Sequence, residues 1–162
     1  MAALEAEARA QSNTRFLAMA RILHAYAPAL EGDYVAARSN LAEVLATVTD
    51  PIVLAAGERL RAYALTALGL FANSLEAARA GLVNLPDAPA TRSLRSGLHD
   101  SMAYNSVRVG DYETALYHLE RTVELDTAAG RPIDGAVLVN NIASMFAQAG
   151  AHDEALRLAA IH

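Results

Sequence analysis

The 162-residue chain has no cysteine, no tryptophan and no lysine. Without cysteine it can build neither a disulfide framework nor a thiolate metal site. Without lysine it lacks the side chain that a phosphate-cradling P-loop uses, and it cannot form a Schiff base. Charge of one sign is also short: 13 arginines are scattered among 18 acidic residues, for a net charge of -5. Recognition of a nucleic-acid backbone needs clustered positive charge, so no nucleic acid is expected as partner. No stretch approaches the roughly 18 uncharged apolar residues of a membrane-crossing helix, so no membrane partner is expected either. The first twenty residues carry Glu5, Glu7, Arg9 and Arg15, which break any signal-peptide core. These absences predict a soluble, cytoplasmic protein.

What is present is apolar and small. Hydrophobic residues make up 54% of the chain and 37 residues are alanine, against 6% aromatic. That fraction supports a packed core and argues against disorder. Alanine and arginine both favour helix.

Four short segments repeat. They are Gly32-Asp33-Tyr34-Val35-Ala36-Ala37-Arg38, Asn73-Ser74-Leu75-Glu76-Ala77-Ala78-Arg79, Gly110-Asp111-Tyr112-Glu113-Thr114-Ala115-Leu116 and Gly150-Ala151-His152-Asp153-Glu154-Ala155-Leu156. Their starts lie 41, 37 and 40 residues apart, and the sixth residue is alanine each time. Apolar residues on either side recur at three- and four-residue spacing, as in Tyr34, Ala37, Leu41, Val44, Leu45 and Val48, or Leu94, Leu98, Met102 and Val109. Gly32, Gly110 and Gly150 sit just past such stripes, where a left-handed helix end is wanted. Asp50-Pro51 reads as an N-cap followed by proline at the first helical position, and Thr91 as another cap. The pattern predicts a leading helix over 2–11, then pairs over 14–31 and 34–48, 51–72 and 75–85, 91–109 and 112–128, and 133–149 and 152–162. Pro28 would cost a helix interior about 3 kcal/mol, so a bend or early stop is expected there.

These residues resemble the tetratricopeptide repeat, a helix-turn-helix unit. The resemblance is carried best by 96–128, with Met102-Ala103, Gly110-Asp111-Tyr112, Ala115 and Leu125-Asp126. Residues 136–162 follow, with Asn141-Ile142-Ala143, Phe146, Gly150, Glu154, Ala155 and Leu156. The first two units depart from the family pattern, since Pro28 and Gly69 stand where it has a large aromatic. The resemblance implies an all-α fold, an α-solenoid of about four antiparallel helix pairs wound as a right-handed superhelix, in one domain over 1–162 with units near 14–48, 51–85, 91–128 and 133–162. It also implies a non-enzymatic module that binds protein or peptide, of the longer-repeat kind found in the regulatory or sensory parts of bacterial signalling proteins, ahead of a diguanylate cyclase or within a transcriptional regulator. In that family the first helix of each pair lines a concave groove. Alignment places Tyr26 and Leu30, Tyr63 and Phe71, Asp100, Tyr104 and Arg108, and Asn140, Ser144 and Gln148 on it. Tyrosines offer contact area at low entropic cost, and Arg108 offers a bidentate carboxylate contact. The last helix would leave Leu156, Ala159 and Ile161 uncovered. Either the chain is part of a longer protein or this end pairs with a second copy, as a homodimer scaffold. A small-ligand pocket in the groove is a further alternative.

Catalytic and metal chemistry find little footing. No two of His24, His99, His118, His152 and His162 stand four apart, as helical zinc ligands often do. His24 lies in an apolar stripe and reads as a core residue. Glu113, Glu120, Glu124 and Asp126 read as a solvated helix face rather than paired acid–base carboxylates. Ser101 is beside His99 and Asp100 in sequence, but neighbours on a helix point apart. No catalytic residue, cofactor or metal is expected.

Overall fold

The computed structural model describes residues 14–131 and 135–159. Every regular element among them is helical. The leading helix expected over 2–11 lies outside the described residues. Contacts divide the chain into two compact units, Met1–Asp87 and Ala88–His162.

In the first unit α1 (Thr14–Tyr26) runs into a 3-10 turn (Ala27–Glu31), followed by α2 (Tyr34–Leu45), α3 (Pro51–Ala67) and α4 (Phe71–Val83). The helix stops two residues before Pro28, as expected, and the proline sits in the 3-10 turn, where its fixed φ is accepted. Gly32 closes that turn with φ 87°, and Asp33 caps α2 by accepting the Ala36 N–H at 2.9 Å. Asp50 accepts the N–H groups of Ile52 and Val53, at 2.9 and 3.1 Å, ahead of Pro51. This confirms the cap expected from sequence. Arg15 Nε reaches the same carboxylate at 2.7 Å. Burial opposes ionisation of Asp50, but the Arg15 and backbone donors outweigh it and hold the carboxyl below its ordinary range.

The helices α1 with α2 and α3 with α4 fold back on each other, and α3 packs on both α1 and α2. Ile22, Ala25, Leu41, Leu45 and Val53 form the core there. Gly57 sets how closely α3 approaches. A β-carbon at this position would lie 2.5 Å from Leu45 Cδ2 and 2.8 Å from Ile22 Cδ1. Mid-helix glycine is normally a cost of about 1 kcal/mol, accepted here for contact between helices.

In the second unit a 3-10 turn (Pro89–Thr91) leads to α5 (Arg92–Arg108), α6 (Tyr112–Ala128), α7 (Gly135–Gln148) and α8 (His152–Ala159). Thr91 does not cap α5 with its side chain. The buried hydroxyl turns back to donate to the Ala88 carbonyl at 2.9 Å, stabilising the 3-10 turn instead. Helices α5 with α6 and α7 with α8 are paired, and α7 touches α5. Phe146 on α7 is fully buried against Ala103, Leu119, Ala151 and Ala155, with Tyr112 at a ring distance of 5.1 Å. Val109, assigned to the apolar stripe of this unit from sequence, is exposed just past the end of α5, and Val107 takes the buried place.

The structure also corrects the register of the second repeat. From sequence, Asn73 stood at the place of Gly32, Gly110 and Gly150. The helix instead ends at Gly69, φ 74°, and α4 starts four residues earlier than expected. Only glycine enters this left-handed region without penalty. The same two bonds close each of these turns. Gly69 N–H donates to Thr66 and Leu70 N–H to Leu65, as Gly110 does to Val107 and Asp111 to Ser106, and Gly150 to Ala147 and Ala151 to Phe146. Each is a Schellman end. In this register the residue seven before the glycine is always alanine: Ala25, Ala62, Ala103 and Ala143. The residue five after it is Ala37, Ser74, Ala115 or Ala155, and all four are buried. These two positions meet across the α3–α4 pair, where the Ser74 hydroxyl donates to the Ala62 carbonyl at 2.8 Å.

Candidate functional site

Two groupings stand out, one in each unit. In the first unit, α1 ends in Tyr26, α2 begins with Tyr34, and α3 carries Tyr63. The Pro28 turn folds the chain back between Tyr26 and Tyr34. Tyr63 lies edge-on to both, with ring centroids 6.4 Å from Tyr26 and 6.3 Å from Tyr34. Such edge-to-face contacts hold the rings in place. Tyr63 remains 55% exposed, and Leu30, on the turn between the other two tyrosines, is 81% exposed. Burial, and then the neighbouring Tyr63 and Tyr34, push the Tyr26 hydroxyl above its ordinary value, so it stays a neutral donor at physiological pH. Sequence alignment had paired Tyr26 with Tyr63 and left Tyr34 as a stripe residue. The structure joins all three. Phe71 opens α4 and is half-buried.

In the second unit, Asp100, Tyr104 and Arg108 recur every four residues along an exposed strip of α5. Arg108, with Val107, Gly110, Tyr112 and Ala149, lines a shallow dent, across which Tyr112 donates to the Ala149 carbonyl at 3.3 Å. On α7, Ser144 and Gln148 are exposed and bonded to each other at 3.2 Å. The side chains of Asn140 and Ala159, and all of Ile161, lie outside the described residues. Leu156 on α8 is 69% exposed. The residues aligned to a groove therefore fall into an aromatic set in the first unit and a polar set in the second.

The other grouping was not found from sequence. His99 on α5 and His118 on α6 are both buried, and their Nδ1 atoms are 2.8 Å apart. Their ring centroids are 5.0 Å apart. A helical metal-ligand test asks for histidines four apart. These are nineteen apart in sequence and meet only because α5 and α6 fold back on each other. Burial first, then His118, Arg121 and Arg95, drive the His99 pKa down to about 4. His24, expected in the core, is exposed, because Ile22 and Ala25 fill the buried positions of α1. Glu113, Glu120 and Glu124 face solvent, with Glu124 paired to Arg121 and Asp126 to Arg131. Among the described residues no three His, Cys, Asp or Glu side chains gather as metal ligands would, and no helix is long and apolar enough to cross a membrane. No family model, no curated protein and no solved structure matches this chain.

Proposed function

We propose that this chain is a non-enzymatic helical-repeat module that binds protein or peptide segments. The tyrosine cluster of Tyr26, Tyr34 and Tyr63 is the observation that carries this reading. Three pre-positioned aromatic rings at the surface give large contact area with little rotamer entropy left to lose, which is the character of interface anchors. The helix pairs support the tetratricopeptide-like solenoid in which such a surface would sit. Their turns recur 37, 41 and 40 residues apart, and the first helices of successive pairs touch within each unit, α1 with α3 and α5 with α7. A regulatory part of a larger signalling protein is the setting that the family resemblance implies.

A random peptide display library selected on the purified chain tests this. The expected outcome is enriched peptides whose affinity falls about tenfold in Tyr63→Ala, the loss of one anchor worth roughly 1.4 kcal/mol. No enrichment, or peptides that bind the variant equally well, would overturn it.

A further inference from the structure

The α5–α6 pair contains a feature that peptide binding does not require. Two nearly inaccessible histidines, His99 at 9% and His118 at 6% exposure, face each other through like atoms, Nδ1 to Nδ1, at 2.8 Å. A neutral imidazole has one N–H and one bare nitrogen. The contact is a hydrogen bond only if one ring carries its proton on Nδ1 and the other on Nε2. Both rings must also be neutral, or at most one charged.

The surroundings make even one charge costly. Arg95 from α5 and Arg121 from α6 both act on His99 as like charges. From α6, the Tyr117 ring packs 5.0 Å from His118. The Thr122 hydroxyl is committed to the His118 carbonyl at 3.0 Å. The Pro89–Thr91 turn and α7, which also pack on α5, contain no ionisable side chain. The exposed acids of α6, Glu113, Glu120 and Glu124, lie on its solvent face. The charges that act on His99 are those of His118, Arg121 and Arg95, all of them like charges.

We propose that His99 and His118 form a pH-operated latch across the α5–α6 pair, closed when both rings are neutral and released when they take up protons. A proton added to the acceptor Nδ1 sets N–H against N–H and breaks the bond. A proton added to the donor ring's Nε2, the other bare nitrogen, keeps the bond but buries a positive charge beside Arg95 and Arg121. Once the helices part, the rings are hydrated and protonate at their ordinary value. Acid therefore favours the open form. The sign follows from the lowered pKa. The latch contributes fully above about pH 6.5, weakens as pH falls below it, and is spent near pH 4.

Native-state hydrogen exchange of the α5 and α6 amides, corrected for intrinsic rates, reads the opening constant directly. Between pH 7.5 and 5.0 the His99 shift alone predicts a rise of about 30-fold in opening. In His99→Leu/His118→Leu, which replaces both partners with apolar groups of similar size, this pH-dependent rise should vanish. An equal rise in the wild type and the double variant would overturn the latch. Nitrogen-15 spectra of the wild-type imidazoles decide the matter even if the variant does not fold. Two neutral rings in opposite, fixed tautomers at pH 6 are expected. His99 titrating at about 6.5 in the folded chain would overturn the proposal.

Discussion

The α3–α4 and α5–α6 pairs share a plan and differ inside. Both turn through a left-handed glycine closed by the same two backbone bonds. The buried residues of α3 and α4 are mostly small and apolar, among them Ala55, Ala62, Ala64, Ala77 and Ala78, with Ser74 satisfied by the Ala62 carbonyl. Between α5 and α6 the buried set includes Ser96, His99, Asn105, Ser106, His118 and Thr122. The first is filled mostly by small side chains, where added volume is felt. The second is fixed partly by polar partners, which must be matched atom for atom and respond to protons. One turn geometry thus carries two kinds of interior.

The contrast extends to the ionisable groups. Glu58 on α3 is buried and bonded to Arg61 through both oxygens at 3.2 Å. Burial pushes its carboxyl above the ordinary value, and Arg61 only partly opposes this. A raised acid pKa stabilises the fold below the ordinary value and loses that contribution as pH rises through the folded value. Acid thus relieves α3 while it loosens α5–α6.

Three substitutions sharpen the comparison. The largest effect is expected from Phe146→Ala. It removes the largest fully buried side chain among the described residues and should destabilise α7 and its neighbours by about 3–5 kcal/mol in urea titration. A loss below about 1 kcal/mol would mean that polar contacts rather than this apolar anchor hold the second unit. Gly57→Val comes next. The added carbons collide with Leu45 and Ile22, and the expected cost is about 1–3 kcal/mol, read as lost amide protection in α1–α3. A neutral result would show that close approach is not what fixes the first unit. Smallest is Glu58→Gln, with an expected gain of up to about 1 kcal/mol at pH 7. That gain should disappear on acidification below pH 4.5, the ordinary value of this carboxyl. A loss at pH 7 would place the Arg61 pair above the burial cost.

Much of the architecture was legible in the sequence. Asp50 acts as a cap, Gly32, Gly110 and Gly150 as left-handed ends, and Pro28 as a stop. The second pair was misread because Ala77 and Ala78 imitate the repeat's alanine, while the residue that holds the place is Ser74. A buried serine looks polar in sequence, and only the Ala62 carbonyl across the pair makes it fit. Of the candidate site, Tyr26 and Tyr63 were legible by alignment. Tyr34 was not, because its helical spacing matches a core stripe.

The sequence by itself determined the helices and most of the turns between them, because those signals act within one or two turns of chain. Only the tertiary structure decided that Gly57 seats α3 against Leu45 and Ile22, that three tyrosines from three helices share one surface, and that His99 meets His118. These are encounters between residues far apart in the chain. They depend on which helix faces touch and how closely, and short-range periodicity does not encode that.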